Sequence, residues 1–269
     1  GLFLSGGLDS SVVAGAARAV APEREIEAYT MILGRSAEGF SDDRPYARQV
    51  AEWCKLTPVE FQIDPDLLNL WPKMLWHTEE PLADPAVALT FLISAAARES
   101  GSIVLLSGQG GDELFHGYRS HRAMASGIGQ MVPPSMWALM RGVFTNLGGF
   151  VGGSNPTIRR ANKLLRAWSK AGAGRAFELA SWSASSTRLG LIVGSDGVEQ
   201  EQRMLSEFLD LFESAPGGTD TDRWSYVLFN TFLPALNLTY GDKAGMAASV
   251  ELRVPLLDRR VVELAGQIP

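Results

Sequence analysis

The residues of this chain that could do chemistry are concentrated in two glycine-rich stretches, each directly after a short apolar run. The first stretch, residues 5–11, reads Ser-Gly-Gly-Leu-Asp-Ser-Ser and follows the apolar residues 2–4. Glycines let backbone N–H groups turn toward a ligand, and the helix predicted to begin here adds unpaired N–H groups and the positive end of its dipole. A strand, turn and helix of this kind are typical of anion binding, and a polyphosphate fits them.

The acid in the first stretch, Asp9, indicates a metal ion. The stretch contains no lysine and matches neither the Walker loop nor the Gly-x-Gly-x-x-Gly fingerprint. A carboxylate repels a polyphosphate unless a cation lies between them, and Mg²⁺ is the oxygen-seeking candidate. The alternative interpretation is an ordinary turn in which Asp9 only caps the helix.

The second stretch, residues 105–118, repeats the same order of features. It reads Leu-Leu-Ser-Gly-Gln-Gly-Gly-Asp-Glu-Leu-Phe-His-Gly-Tyr, an apolar run followed by a glycine-rich turn with an acid at Asp112. We predict that Asp9 and Asp112 converge at one edge of a parallel sheet, where two carboxylates and phosphate oxygens would surround a Mg²⁺ ion. The alternative is that Asp112 and Glu113 merely cap the helix that follows.

The apolar periodicity predicts the elements that position these turns. Strands are predicted at 1–4, 26–33, 58–63 and 103–106, and helices at 9–20, 43–54, 65–77, 87–100, 136–143, 158–171, 200–213 and 224–240. Alternation of strands and helices predicts an α/β fold with a doubly wound parallel sheet, which binds ligands at the carboxyl ends of its strands. Residues 119–269 show no convincing strand. We therefore predict a ligand-binding core over residues 1–118, followed by a mostly helical half over 119–269.

Composition excludes several classes of protein. The chain has 269 residues and a net charge of −6, which argues against nucleic acid as the main partner. Its one cysteine, Cys54, excludes a disulfide framework and is interpreted as a core residue. No apolar stretch is long enough to span a bilayer, so no membrane partner is predicted.

Two further stretches complete a family pattern. Residues 80–85 read Glu-Pro-Leu-Ala-Asp-Pro, and residues 242–258 read Asp-Lys-Ala-Gly-Met-Ala-Ala-Ser-Val-Glu-Leu-Arg-Val-Pro-Leu-Leu-Asp. The first turn alone resembles the pyrophosphate-binding loop of the N-type ATP pyrophosphatases. The four stretches together resemble the synthetase domain of the glutamine-dependent asparagine synthetases and of their β-lactam-forming and lasso-peptide-forming relatives, over essentially the whole chain. The resemblance implies an adenine-nucleotide α-hydrolase-like sheet.

The resemblance also implies the site residues, with ATP and Mg²⁺ as cofactors. The implied ATP-binding residues are Leu4, Ser5, Gly6, Gly7, Asp9, Ser10, Ser11, Met31, Ser107 and Gly108. Asp9 and Asp112 are the implied metal ligands and, with Gln109, the implied catalytic residues. Asp84 is interpreted equally as a helix cap or as a residue of the substrate cleft. Glu251 and Arg253 are expected to form a buried charge network.

Four departures from the family pattern bear on function. Gln109 stands where many asparagine synthetases have a glutamate, and an amide cannot act as a general base. His116 stands where the family often has glycine. The amino-terminal glutaminase domain is absent, and the resemblance implies that a lysine for the leaving pyrophosphate lies in a further segment beyond Pro269. Lys243 is the nearest candidate by family motif, but it precedes a stretch that looks structural. We therefore expect the chain to be a fragment of a longer protein.

The activity implied by the resemblance is ATP-dependent amide formation. Adenylation of the side-chain carboxylate of aspartate would be followed by attack of ammonia supplied by a glutaminase domain. The resemblance also implies a cytoplasmic enzyme, for which a homo-oligomer is one possible state. One alternative is an adenylating cyclase of the lasso-peptide or β-lactam type, which acts on another carboxylate. The second alternative is a nucleotide-binding regulatory domain that has lost catalysis.

Overall fold

The computed structural model describes residues 1–33, 42–63, 67–82, 84–126, 129, 131–148, 156–181 and 197–268. The predicted start of a helix at Pro65 lies outside these residues, as does Ala83 within the stretch 80–85. Among the described residues, no helix combines the length and the apolar character that crossing a membrane requires.

The described strands form one parallel sheet of five strands in the order β3-β2-β1-β4-β5. The strands are β1 (Leu2–Phe3), β2 (Glu27–Leu33), β3 (Thr57–Ile63), β4 (Val104–Leu106) and β5 (Glu251–Arg253). Leu2 lies at the centre of the sheet, because it pairs with Ala28 of β2 on one side and with Leu106 of β4 on the other. The predicted α/β class with a parallel sheet is confirmed. The strand order reverses between β1 and β4, where sheets of this type open a crevice at their carboxyl ends.

The predicted helices are present with different ends, and the structure adds helices at Arg119–Ala125, Gly172–Ala180 and Arg259–Ala265 that the sequence pattern did not predict. In chain order they are α1 (Leu8–Val20), α2 (Arg44–Trp53), α3 (Trp71–Thr78), α4 (Ala86–Glu99), α5 (Gly111–Leu114), α6 (Arg119–Ala125), α7 (Pro134–Gly148), α8 (Pro156–Trp168), α9 (Gly172–Ala180), α10 (Gly197–Glu213), α11 (Asp220–Asn230), α12 (Thr239–Ala247) and α13 (Arg259–Ala265). Short 3₁₀ turns occupy Leu67–Leu70 and Pro255–Leu257. The helix predicted at 224–240 is divided, because a π-helix at Leu233–Leu238 separates α11 from α12.

The chain folds into two compact units. The α/β unit comprises Gly1–Phe115 together with Thr231–Pro269, and the helical unit comprises His116–Asn230. The prediction that residues 119–269 contain no strand is wrong at β5, which pairs with β4 in the register Val104↔Glu251. A strand of three residues is too short to show a period in the sequence, which is why the pattern did not indicate it.

The sheet of the α/β unit is buried on both faces. Ala28 packs in a cluster with Leu4 and residues of α1 and α2, whereas its neighbour Tyr29 packs in a second cluster with Leu105 and residues of α4. Successive residues of a strand point to opposite faces, so these two clusters are the two layers of a doubly wound fold. Cys54 is partly buried against the first cluster, in agreement with its interpretation as a core residue.

The helical unit is organised around aromatic side chains. The Trp137 and Trp168 rings lie 4.8 Å apart between their centroids and join α7 to α8. Phe208 of α10 contacts Phe177 edge-on at 5.2 Å. Trp224 is only 2% exposed, and its indole N–H donates to Ser120 Oγ at 3.2 Å. These contacts tie the helices of this unit to one another.

A buried histidine makes the helical unit sensitive to acid. His121 is 1% exposed, its Nδ1 accepts the Tyr118 N–H at 3.2 Å, and its Nε2 lies 3.0 Å from Ser225 Oγ. Burial, with a smaller contribution from the charge of His116, lowers the pKa of His121 from 6.5 to about 4. A proton on Nδ1 would also remove the acceptor that Tyr118 uses at the start of α6.

We expect the protein to lose stability as the pH falls from 6.5 to about 4. The unfolded chain takes up a proton at His121 in this window and the folded chain does not, so each pH unit costs about 1.4 kcal/mol at most. Urea unfolding followed by circular dichroism at several pH values measures this slope. His121→Gln is expected to flatten it, whereas His77→Gln in the other unit is expected to leave it unchanged; equal slopes in all three proteins would contradict the assignment.

Candidate active site

The first turn places the start of α1 at the carboxyl end of β1. Gly6 has a φ of +72°, and a Cβ there would lie 2.4 Å from Tyr46 Cβ, so only glycine fits both the backbone and the contact with α2. Gly7 is the N-cap residue of α1 and supplies no side-chain cap. The first N–H groups of α1 therefore remain open to an anion. Asp9 lies within the first turn of α1 and is not its N-cap.

The serine hydroxyls of the first turn fix its shape. Ser10 Oγ and Ser11 Oγ both donate to the Gly7 carbonyl oxygen, at 3.1 and 2.7 Å. Ser5 Oγ accepts the Gly7 N–H at 3.3 Å and lies 3.2 Å from Ser10 Oγ. The turn is thus held by its own side chains, and the hydroxyls must rotate if they are to donate to a ligand.

The second turn lies directly against the first. A Cβ at Gly108 would lie 2.8 Å from the Ser10 backbone nitrogen and 2.9 Å from the Asp9 carbonyl carbon. A Cβ at Gly111, the first residue of α5, would lie 2.4 Å from Asp9 Cγ. The parallel pairing of β1 with β4 thus brings the two glycine-rich turns together at the same sheet edge.

The electrostatics of this edge favour a cation. Burial, and then the charges of Asp112 and Glu113, raise the pKa of Asp9, and burial raises the pKa of Asp112. Carboxylates that approach one another in partly buried surroundings are stabilised by a metal ion. The described residues contain no group of three or more His, Cys, Asp or Glu side chains able to hold a metal. An ion at Asp9 and Asp112 would therefore need phosphate and water oxygens to complete its shell.

Three further residues predicted to contact ATP, Leu4, Met31 and Ser107, lie in the strands or directly after them. The Leu4 side chain is 2% exposed in the core, and its N–H donates to the Tyr29 carbonyl oxygen at 2.9 Å. Met31 lies inside β2 rather than at its end and packs against the second core cluster. Ser107 is 5% exposed, and its Oγ accepts the Gln109 N–H at 3.3 Å. The roles of these residues toward ATP stay predictions.

Beyond the second turn, the structure adds residues that the sequence analysis missed. Gln109 Nε2 donates to the Asn237 carbonyl oxygen at 3.3 Å, and Asn237 Nδ2 donates to Glu113 Oε1 at 3.0 Å. Tyr240 has a raised pKa because it is buried; its hydrogen bond to Gln109 opposes the rise, and the charges of Asp84 and Glu113 add to it. Asn237 and Tyr240 are polar residues in a stretch rich in apolar residues just before the 242–258 motif, and this pattern was the available signal.

Two residues whose roles were open have clear partners. Asp84 Oδ1 accepts the Ala86 N–H at 2.9 Å, as a helix cap does, while its charge also acts on Tyr240 in the same unit. Lys243 Nζ donates to the Thr78 carbonyl oxygen at 2.5 Å and lies 3.3 Å from Glu79 Oε2. Lys243 therefore joins α12 to the end of α3, in keeping with a structural role.

The expected buried charge network at Glu251 and Arg253 is wrong. The two side chains pair with each other at 2.8 Å, but they are 55% and 60% exposed. Because residues alternate along a strand, Leu252 packs against the core cluster while its two charged neighbours point away from it. This surface pair contributes little to stability.

The fold and the paired turns define a class of protein: a doubly wound α/β domain whose two glycine-rich strand ends meet at the switch point of a parallel sheet. The sequence profile of the asparagine synthase family matches residues 1–269, the whole chain. The chain belongs to this family.

Curated relatives agree with the family assignment. Asparagine synthetase [glutamine-hydrolyzing] 1 of Bacillus subtilis (strain 168) is 28% identical over 271 residues, which are 100% of this chain and 40% of the relative. Asparagine synthetase [glutamine-hydrolyzing] 2 of the same strain is 27% identical over 279 residues, 100% of this chain and 31% of the relative. Amidase chyE of Penicillium rubens (strain ATCC 28089 / DSM 1075 / NRRL 1951 / Wisconsin 54-1255) is 24% identical over 298 residues, 100% of this chain and 42% of the relative. The chain thus spans less than half the length of these relatives.

Proposed function

We propose that this chain is the synthetase domain of an ATP-dependent amide-forming ligase, in which a carboxylate is adenylated and ammonia then attacks the acyl-adenylate. Aspartate is the proposed carboxylate, with asparagine, AMP and pyrophosphate as products. The observation that carries the proposal is the direct packing of the two turns, with Gly108 against the backbone of Asp9 and Ser10. Family membership supports the same reaction, because the relatives' names assign two of them to glutamine-hydrolysing asparagine synthesis.

In this proposal the chain binds and orients rather than reacts covalently. The open first turn of α1 receives the phosphates, and the glycines of both turns allow the backbone to approach them closely. Holding the α-phosphate and the carboxylate together converts an encounter between two molecules into a reaction within one site. The buried strands beneath the turns keep this geometry fixed.

Asp9 and Asp112 are the proposed holders of Mg²⁺. Burial raises the pKa of both carboxyl groups, and the charges of Asp112 and Glu113 raise that of Asp9 further, which supports a divalent cation with oxygen ligands. Mg²⁺ bound there would neutralise charge on the phosphates as pyrophosphate departs. Lys243 is engaged with Thr78 and Glu79, so it is not proposed for this task.

The test is pyrophosphate release by the full-length protein that contains this chain. The protein is supplied with Mg-ATP, ammonia and one carboxylate at a time, aspartate first and then a panel of other amino acids and peptides. We expect release that depends on aspartate and is matched by asparagine formation.

Each other outcome has a defined meaning. Release with another carboxylate, and none with aspartate, would replace the proposed substrate and favour an adenylating cyclase of the lasso-peptide or β-lactam type. Binding of Mg-ATP without release for any carboxylate would favour a regulatory domain. Absence of Mg-ATP binding by calorimetry would refute the proposed function.

A further inference from the structure

A small polar network ties the second turn to the segment that precedes the 242–258 motif. It consists of Gln109, Glu113, Asn237 and Tyr240, all in the α/β unit. The Gln109 amide donates to the Asn237 carbonyl oxygen, and the Asn237 amide donates to the buried carboxylate of Glu113. Asn237 thus makes hydrogen bonds with residues at both ends of the second turn, Gln109 and Glu113.

The π-helix at Leu233–Leu238 places Asn237 in this position. A π-helix is wider than an α-helix, and such turns are rare and frequently lie at functional sites. Here Thr239 Oγ1 donates to the Pro234 carbonyl oxygen at 2.8 Å, which supports the widened turn from within. The segment presents to the second turn both a carbonyl oxygen and an amide nitrogen from the same residue.

The contact of the Gln109 amide with Asn237 favours a neutral side chain that can donate. Asn237 offers an acceptor to Gln109 Nε2, and a carboxylate at position 109 would place two acceptors 3.3 Å apart. On the other side of the amide, a Cβ at Gly241 would lie 3.1 Å from Gln109 Oε1, so the amide fills the space that this glycine leaves. Tyr240, the hydrogen-bond partner of Gln109, feels the negative charges of Asp84 and Glu113, and both charges would repel a carboxylate placed beside Tyr240.

We propose that Gln109, Asn237 and Tyr240 form a neutral positioning set that fixes the second turn for Mg-ATP, and that the set requires an amide at position 109. Gln109 is then a positioning residue that takes no proton in the reaction, whereas the family resemblance implied a catalytic role. The proposal rests on the proposed function, because the ligand that the second turn serves is Mg-ATP.

The test compares Gln109→Glu and Gln109→Met by calorimetric titration of the full-length protein with Mg-ATP. Gln109→Glu is expected to weaken binding about 10-fold near neutral pH, because the hydrogen bond to Asn237 is replaced by repulsion. The loss is expected to shrink on acidification to about pH 5.5, where a carboxyl among Glu113, Asp84 and Tyr240 can take up a proton and donate again. Gln109→Met is expected to cause a loss that does not vary with pH.

Two further variants separate positioning from simple loss of folding. Tyr240→Phe keeps the ring and removes the hydroxyl, and its effect on Mg-ATP affinity is expected to be smaller in the Gln109→Met background than in the wild type, because the two side chains act together. Gln202→Glu adds the same charge at an exposed position of the helical unit and is expected to leave affinity unchanged.

The outcomes distinguish this proposal from the proposed function. If the wild type fails to bind Mg-ATP, the proposed function fails. If the wild type binds Mg-ATP and Gln109→Glu binds it equally well while forming amide faster, then position 109 accommodates a base and the positioning set is refuted. Additive effects of Gln109→Met and Tyr240→Phe would also refute it.

Discussion

Gly108→Ala is expected to reduce ATP-dependent pyrophosphate release by about 100-fold while the protein still folds. The added methyl group would lie 2.8 Å from the Ser10 nitrogen and 2.9 Å from the Asp9 carbonyl carbon, and backbone atoms cannot rotate out of its way. The two turns must therefore move apart, and displacements of about 1 Å at a reacting site cost this much in rate. Overpacking of this kind costs about 1–3 kcal/mol of stability.

The matched control is Gly15→Ala in the middle of α1. A Cβ there has no neighbouring atom within 4 Å, so the substitution adds the same methyl group to the same helix without a contact. It is expected to stabilise the protein by about 0.5–1 kcal/mol, since alanine favours a helix more than glycine does. Thermal melting and pyrophosphate release are measured on both variants. Normal release by Gly108→Ala would show that the contact between the turns does not serve the reaction.

The sequence predicted the strand-turn-helix units because each is specified locally. The run at residues 2–4, the glycines that follow it and the apolar period of α1 all lie within one short window. The alternation of strands and helices predicts a parallel, doubly wound sheet, in which the two glycine-rich turns can neighbour each other at the carboxyl edge. The meeting of Asp9 with the start of α5 was therefore predictable before the structure was known.

Other features were not predictable because they depend on pairing across the chain. β5 is stabilised by its pairing with β4, more than a hundred residues earlier, and its three residues carry too little periodicity to reveal it. The position of Asn237 depends on a π-helix, for which the sequence has no reliable signal. His116 is an intermediate case: its φ of +58° is a conformation that glycine adopts readily, and its stacking on His121 at 5.0 Å appears only in the structure.

Asp9→Asn is expected to raise the melting temperature of the ligand-free protein near neutral pH and to reduce pyrophosphate release by about 10²–10³-fold. Burial and the charges of Asp112 and Glu113 raise the pKa of Asp9, so its ionised form is disfavoured in the folded state. For a carboxyl group whose pKa is raised by folding, the favourable contribution to stability is fully present below the unfolded pKa of 3.8, and it is lost as the pH rises from there through the folded pKa. At neutral pH the charge therefore opposes folding, and an asparagine removes it.

The pH dependence and the response to Mg-ATP identify the cause of this gain. The difference in melting temperature between Asp9→Asn and wild type is expected to vanish as the pH falls below 3.8, where Asp9 is protonated in both states. Mg-ATP is expected to raise the melting temperature of the wild type far more than that of the variant, because binding to the folded state alone adds stability and the variant lacks one metal ligand.

Asp210→Asn, which removes a charge at an exposed position of the helical unit, is the control and should change neither the melting temperature nor its response to Mg-ATP. A variant less stable than wild type at neutral pH, with an undiminished response to Mg-ATP, would show that Asp9 serves the fold and not the metal. A variant more stable than wild type at neutral pH, with a diminished response to Mg-ATP, would mean that the protein keeps this carboxylate at a cost in stability, as expected of a residue retained for catalysis.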